Sequence, residues 1–213
     1  MAERQNSNGQ ATGYTIVTWN IRGMAVPSKR RRVLAYLKRQ GIHIAFLQET
    51  HMSSEGIKSL RRTWPGQVYG TSVSTYARGV LIWLAQGVPF VMNNSNIDSD
   101  GRHVVVEGCL DGSPLTLVVV YAPNSGHAAF FEALSPRILN NPNNPILWGG
   151  DFNCVADIGL DRSSPPMSDA ACWKATQCLQ AWMTHMRLND VWRLQHPLQR
   201  EYSFYSPVHR LYT

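Results

Sequence analysis

Four short apolar runs of β-forming residues dominate this chain, and each stops at a polar residue. They are Thr15-Ile16-Val17-Thr18-Trp19 before Asn20, Ile44-Ala45-Phe46-Leu47 before Gln48-Glu49-Thr50-His51, Leu117-Val118-Val119-Val120 before Tyr121-Ala122-Pro123-Asn124, and Pro145-Ile146-Leu147-Trp148 before Gly149-Gly150-Asp151-Phe152-Asn153. A strand through the last run projects Asp151 and Asn153 the same way off its C-terminal end, because alternate strand residues share a face. The two glycines let backbone or ligand approach closely. A carboxylate beside a neutral amide orients a water and holds an oxyanion without electrostatic self-repulsion, which suits attack on a phosphate. Taken alone, Gly, Asp and Asn after a strand are ordinary turn residues. Four strand ends offering Asn20, Glu49, Tyr121 and Asp151 with Asn153 describe one site instead.

With 213 residues, 44% of them hydrophobic, the chain fits one large α/β domain with a full core, and no composition break divides it. Residues 1–13 are polar and aperiodic and read as a disordered leader, which leaves 14–213 as the domain. A net charge of +6 and a pI near 9.4 favour a polyanionic partner such as nucleic acid. Lys29-Arg30-Arg31-Arg32 falls in the first turn of a predicted helix, against the macrodipole. A phosphate partner and a solvated face account for it equally well. The four cysteines show no CxxC pair or metal-finger spacing, so they are expected to be free, buried thiols in a reducing compartment. No apolar run is long enough to cross a membrane.

Between these runs, Ser28 is placed to cap a helix carrying Val33, Leu34 and Leu37 and closed by Gly41. Ser54 is placed to cap a shorter helix stopped at Trp64-Pro65. From residue 66 to 121 the pattern is nearly all β, with strands over 68–73, 79–84, 90–93, 103–109 and 115–121, and reads as a meander with turns at Asp98-Ser99-Asp100-Gly101 and Asp111-Gly112. A helix follows on Phe130, Phe131, Leu134 and Ile138. Another starts near Ser168, with Ala175, Cys178, Leu179, Trp182 and Met186 on one stripe. This order argues for an α/β sandwich over a parallel doubly wound sheet.

Six ordered segments resemble the endonuclease/exonuclease/phosphatase family, and within it the endonuclease domain of non-LTR (long interspersed) retrotransposons. They are Trp19-Asn20-Ile21-Arg22-Gly23, Gln48-Glu49-Thr50-His51, Arg78-Gly79-Val80-Leu81-Ile82, Tyr121-Ala122-Pro123-Asn124, Gly150-Asp151-Phe152-Asn153 and Tyr202-Ser203-Phe204, with Asp161-Arg162 as a further retrotransposon-like feature. The resemblance implies two mixed β-sheets packed face to face with helices on the outside, a four-layer, deoxyribonuclease-like sandwich. It also implies a Mg²⁺-dependent (or Mn²⁺-dependent) endonuclease that nicks one strand of duplex DNA in the nucleus. The nick would prime reverse transcription by a reverse transcriptase domain downstream in a polyprotein.

In that chemistry Glu49 is the metal ligand, since Mg²⁺ takes carboxylate oxygen and keeps several waters, and Asn20 supports the metal or the phosphate. Asp151 orients or activates the attacking water, and Asn153 donates to the developing oxyanion. Tyr121 donates its phenol to the phosphate, while Ser203 and Arg22 contact substrate. His51 reads as an exposed loop histidine and His127 as a satisfied or solvated one, neither of them a base. Relatives continue past the Tyr202-Ser203-Phe204 segment into strands carrying Arg-Ile-Asp and Ser-Asp-His type motifs. Those C-terminal strands and the general-base histidine are expected to be missing here, leaving the 213-residue chain weakly active or inactive. Competing readings are an abasic-site repair nuclease or other phosphodiesterase of the same fold, and a non-catalytic DNA-binding module.

Overall fold

The computed structural model describes residues 13–71, 73, 75–138, 144–163, 170–206 and 211–213. In chain order its elements are β1 (Ile16–Asn20), α1 (Pro27–Arg39), β2 (Ile44–Gln48), α2 (Ser54–Thr63), β3 (Gln67–Gly70), β4 (Val80–Leu84), β5 (Phe90–Ile97), β6 (His103–Leu110), β7 (Ser113–Tyr121), α3 (His127–Ile138), β8 (Ile146–Asp151), α4 (Ala170–His185), α5 (Val191–Gln195), β9 (Tyr205–Ser206) and β10 (Leu211–Tyr212). They divide into two compact units, 1–121 with 143–151 and 122–142 with 152–213. Composition marks neither the Tyr121/Ala122 nor the Asp151/Phe152 crossing; both fall where a strand has just delivered its polar residue.

The first unit holds two mixed sheets, ordered β1-β2-β4-β3 and β5-β6-β7-β8. β1 runs parallel to β2 and β7 parallel to β8, while the other pairs are antiparallel. Strand periodicity explains why β2 and β4 are unbroken apolar runs, since both faces are covered. Ala45, Leu47, Leu81 and Trp83 point to one side, where they meet Val33 and Leu37 of α1 and Ile57 and Leu60 of α2. Ile44, Phe46, Val80, Ile82 and Leu84 point to the other and pack on Val104, Val106, Leu117 and Val119 of the second sheet. The sheets therefore lie face to face with α1 and α2 outside the first. Each of the buried Val, Leu, Ile and Phe side chains contributes about 1.5–3 kcal/mol.

Several local expectations shift on inspection. α1 begins at Pro27, which supplies the fixed φ of a first helical position, and Val26 precedes it with no side-chain cap, so Ser28 is not the cap. The cap of α2 is Ser53, whose hydroxyl accepts from the Gly56 amide, one residue ahead of Ser54. The β-rich stretch is not one meander: β3 and β4 join the first sheet, and only β5, β6 and β7 run on consecutively in the second. The turn at Asp111-Gly112 holds, with both residues at positive φ (51° and 73°) as a tight hairpin requires.

In the second unit α3 packs on α4. Phe131 stacks on Trp182 with ring centroids 4.7 Å apart, and the Trp182 indole donates to the Ser135 hydroxyl at 2.7 Å. Ala175, Leu179, Trp182 and Met186 are buried as their stripe implies. Ser168 and the leader up to residue 12 lie outside the described residues. The cysteines are free, but all four are only half-buried, contrary to expectation.

Candidate active site

Parallel pairing sets two strand ends side by side in each sheet, Asn20 opposite Gln48 and Tyr121 opposite Asp151. The sheets bring these ends together. The Asn20 amide nitrogen donates to Glu49 Oε1 at 2.8 Å and to Asp151 Oδ2 at 3.0 Å, so one neutral side chain bridges two carboxylates. Its own oxygen accepts from the Arg22 amide at 3.1 Å, which fixes the amide's orientation. The close approach relies on Gly149 and Gly150. A Cβ on Gly149 would lie 2.4 Å from the Phe46 ring, and one on Gly150 would lie 2.5 Å from the Val120 carbonyl.

Glu49 is aimed by strained backbone. Glu49 and His51 both sit at positive φ (50° and 52°), a conformation that costs a non-glycine residue about 1–2 kcal/mol. Neighbouring loops hold them there. The Gly23 amide donates to the Glu49 carbonyl at 2.6 Å, Met24 to Thr50 at 2.8 Å, Thr50 to Gly79 at 2.9 Å and His51 to Arg78 at 3.0 Å. Gly79, at φ 90°, has no substitute, because a Cβ would meet the buried Thr50 hydroxyl at 2.5 Å. Strain of this kind, held by surrounding structure, is typical of functional sites.

Tyr121 completes the group. Its phenol is pushed up to about 12, by burial first, then by the Glu49 charge and a hydrogen bond to Glu49, then by the Asp151 charge. Behind it, Arg102 lies 5.7 Å from the ring centroid, and its guanidinium donates to the Tyr121 carbonyl at 3.2 Å. The Tyr121 amide in turn donates to the Arg102 carbonyl at 2.7 Å. Burial, and secondarily the Arg78 charge, lowers the Arg102 guanidinium below its usual range. The sequence reading missed Arg102; its place directly after the Asp98-Ser99-Asp100-Gly101 turn is the signal that points to it.

Two carboxylates sharing one amide donor concentrate negative charge and oxygen ligands, the environment a hard divalent cation prefers. No cluster of three or more His, Cys, Asp or Glu side chains that could hold an ion occurs among the described residues. The donor set fits an ion that keeps most of its own waters, and Glu49 with Asn20 or Asp151 would hold it.

Asn20, Glu49, Tyr121 and Asp151 thus stand together. Asn153 does not continue the strand: β8 ends at Asp151, Asn153 takes φ 51°, and its amide donates to the Ala122 carbonyl at 2.7 Å. The alternate-residue argument for Asp151 and Asn153 therefore fails, because the backbone turns between them. Arg22 is exposed and receives Lys29 Nζ on its carbonyl at 2.8 Å, while Ser203 is an exposed residue of the second unit. His51 is not an exposed loop residue: its side chain is 20% exposed, with Nε2 3.5 Å from Glu49 Oε2. His127 is neither solvated nor satisfied, being buried with no partner on Nε2. Asp161 serves structure, binding Arg193 and accepting from the Asp157 amide.

The chain is 31% identical over 187 residues to the transposon TX1 uncharacterized 149 kDa protein of Xenopus laevis, a match covering 86% of this chain. It spans 14% of that relative's length. Among solved structures it is similar to an AP endonuclease from Leishmania major (TM-score 0.70, 18% identity, 92% of this chain and 73% of that one). It is also similar to an AP endonuclease from Archaeoglobus fulgidus (0.66, 20%, 92% and 79%) and to a Neisseria 3′ phosphatase bound to a product DNA hairpin (0.69, 17%, 92% and 79%). These likenesses show the shared fold. The sequence pattern of the Endonuclease/Exonuclease/phosphatase family matches residues 17–208, and the chain belongs to that family.

Proposed function

We propose that this chain is a Mg²⁺-dependent endonuclease that nicks one strand of duplex DNA in the nucleus. In this reading it acts for a retrotransposon whose downstream reverse transcriptase extends the freed 3′-hydroxyl. The observation that carries the reading is the single Asn20 amide tying Glu49 to Asp151 at the ends of strands from both sheets. The likeness to a transposon protein supports the biological setting.

When bound, a divalent cation supplies charge neutralisation at the non-bridging phosphate oxygens. Glu49 anchors that side of the site, and Asn20 holds the Glu49 and Asp151 carboxylates in register. Asp151 orients the attacking water. The Tyr121 phenol stays protonated throughout the neutral range and so acts as a hydrogen-bond donor to a phosphate oxygen, never as a base. Arg22 contacts flanking substrate.

The test is conversion of supercoiled plasmid to nicked circle at high protein concentration, followed by polymerase extension from the nick. Mg²⁺-dependent, extendable nicking that disappears in both Glu49→Gln and Asp151→Asn supports the proposal. Nicking that persists in EDTA or in both variants refutes it. Duplex binding with no Mg²⁺-dependent nicking favours a non-catalytic DNA-binding module.

A further inference from the structure

We infer that the outer face of α1, together with Trp19 of β1, is a seat for single-stranded DNA and takes the strand released at the nick. The source of that strand rests on the nuclease reading above, while the seat itself stands on residues outside the candidate active site. Charge is the first support. α1 carries Lys29, Arg30, Arg31, Arg32, Lys38 and Arg39 and no acidic residue, so nothing on the helix itself neutralises them. Arg31, Arg32, Lys38 and Arg39 are exposed, and among the described residues none of the four has an ion-pair partner. Ser28, Arg31, Arg32 and Ala35 fall at helical intervals and line one shallow depression. Arg39 continues that stripe a turn further on, so it runs about 16 Å along the helix axis. A row of unneutralised cations is complementary to the phosphates of a nucleic acid backbone.

Exposed rings are the second support, and they decide which form of nucleic acid fits. Trp19 is 37% exposed and Tyr36 44%, with ring centroids 5.4 Å apart. The Arg39 guanidinium lies 5.6 Å from the Tyr36 centroid. Solvent-facing rings beside a cation offer stacking surfaces to bases. Bases within a duplex are already stacked on one another, whereas those of a single strand are free to use such surfaces. A cationic helix without rings would suit either form.

Placement is the third support. Trp19 directly precedes Asn20 and, by strand alternation, lies on the opposite face of β1. Lys29 Nζ donates to the Arg22 carbonyl at 2.8 Å, which ties the first turn of α1 to the segment just after Asn20. The seat therefore begins beside the strand end that bridges the two carboxylates.

The experiment follows the fluorescence anisotropy of a labelled oligothymidine of about twelve nucleotides in EDTA, where Mg²⁺-dependent nicking is silent. Unlabelled duplex DNA and oligouridine of the same length serve as competitors. Tyr36→Ala should weaken oligothymidine binding about fivefold or more, and Tyr36→Phe, which keeps the ring, should not. Changing Arg31 and Arg32 together to Ala should lower the slope of log affinity against log salt by about 1.4. Oligothymidine binding that is indifferent to these variants, or that duplex or oligouridine competes away as well as oligothymidine does, overturns the seat whatever the plasmid assay shows. Plasmid left intact in Mg²⁺, with oligothymidine binding still dependent on Tyr36, Arg31 and Arg32, supports the seat and overturns the nuclease reading, so the two failures are told apart.

Discussion

Replacing Asn20 by Asp changes one atom of the side-chain head yet removes both hydrogen bonds that tie Glu49 to Asp151, at 2.8 and 3.0 Å, and sets a third carboxylate between them. A hydrogen bond to a charged acceptor contributes about 1.5–3 kcal/mol. Solvent screening at this half-buried site reduces that, so a combined loss of roughly 2–4 kcal/mol follows for the two bonds. In a chain of this size each kcal/mol moves Tm by about 2–4 °C, so Asn20→Asp should melt roughly 4–16 °C lower in EDTA. The added charge also improves the site for a cation, so saturating Mg²⁺ should recover more stability in Asn20→Asp than in the unmodified chain. Differential scanning calorimetry with and without Mg²⁺ reads both effects. Equal melting in EDTA would mean that Asn20 does not bridge the carboxylates, and equal Mg²⁺ gain would mean that the cation does not bind beside it.

Three further outcomes follow from the same geometry. A spectrophotometric phenol titration should show Tyr121 ionising near 12. Because that value is raised above the usual 10, the stabilisation from the protonated phenol is complete below pH 10 and is lost as pH rises from 10 to about 12. Glu49→Gln should bring the titration down, and Tyr121→Phe should remove it. Gly149→Ala forces a methyl to within 2.4 Å of the Phe46 ring, an overpacking of about 1–3 kcal/mol that a thermal melt detects and a compensating Phe46→Leu should partly relieve. Arg31 and Arg32 are exposed on α1, and among the described residues neither has an ion-pair partner. If α1 tracks DNA phosphates, changing each to Ala should lower the slope of log affinity against log salt by about 1, and an unchanged slope would place α1 away from DNA.

How much of this was legible in the sequence depends on whether local pattern or tertiary contact decides a residue's role. The four apolar runs were readable because strands buried on both faces, such as β2 and β4, leave unbroken apolar segments. Asn20, Glu49, Tyr121 and Asp151 were readable because each sits where such a run stops. Asn153 was misplaced by the same reasoning, since the φ of 51° that ends the alternation leaves no mark that distinguishes it from a continuing strand. His51 escaped because its partner is chosen by a left-handed backbone, and Arg102 because its contact with Tyr121 exists only across the β6–β7 pairing. The half-exposed cysteines show the limit of composition, which gives a residue's average preference and not its position.

The central claim is that four strand ends make one phosphodiester-cleaving centre. Anomalous diffraction from crystals grown with Mn²⁺ and a short DNA duplex tests it most directly. The account expects one strong anomalous peak in contact with Glu49, with a DNA phosphate oxygen on the same ion and Asp151 and Tyr121 facing that phosphate. An ion and phosphate lodged elsewhere, with the Asn20 bridge between Glu49 and Asp151 undisturbed, would contradict it.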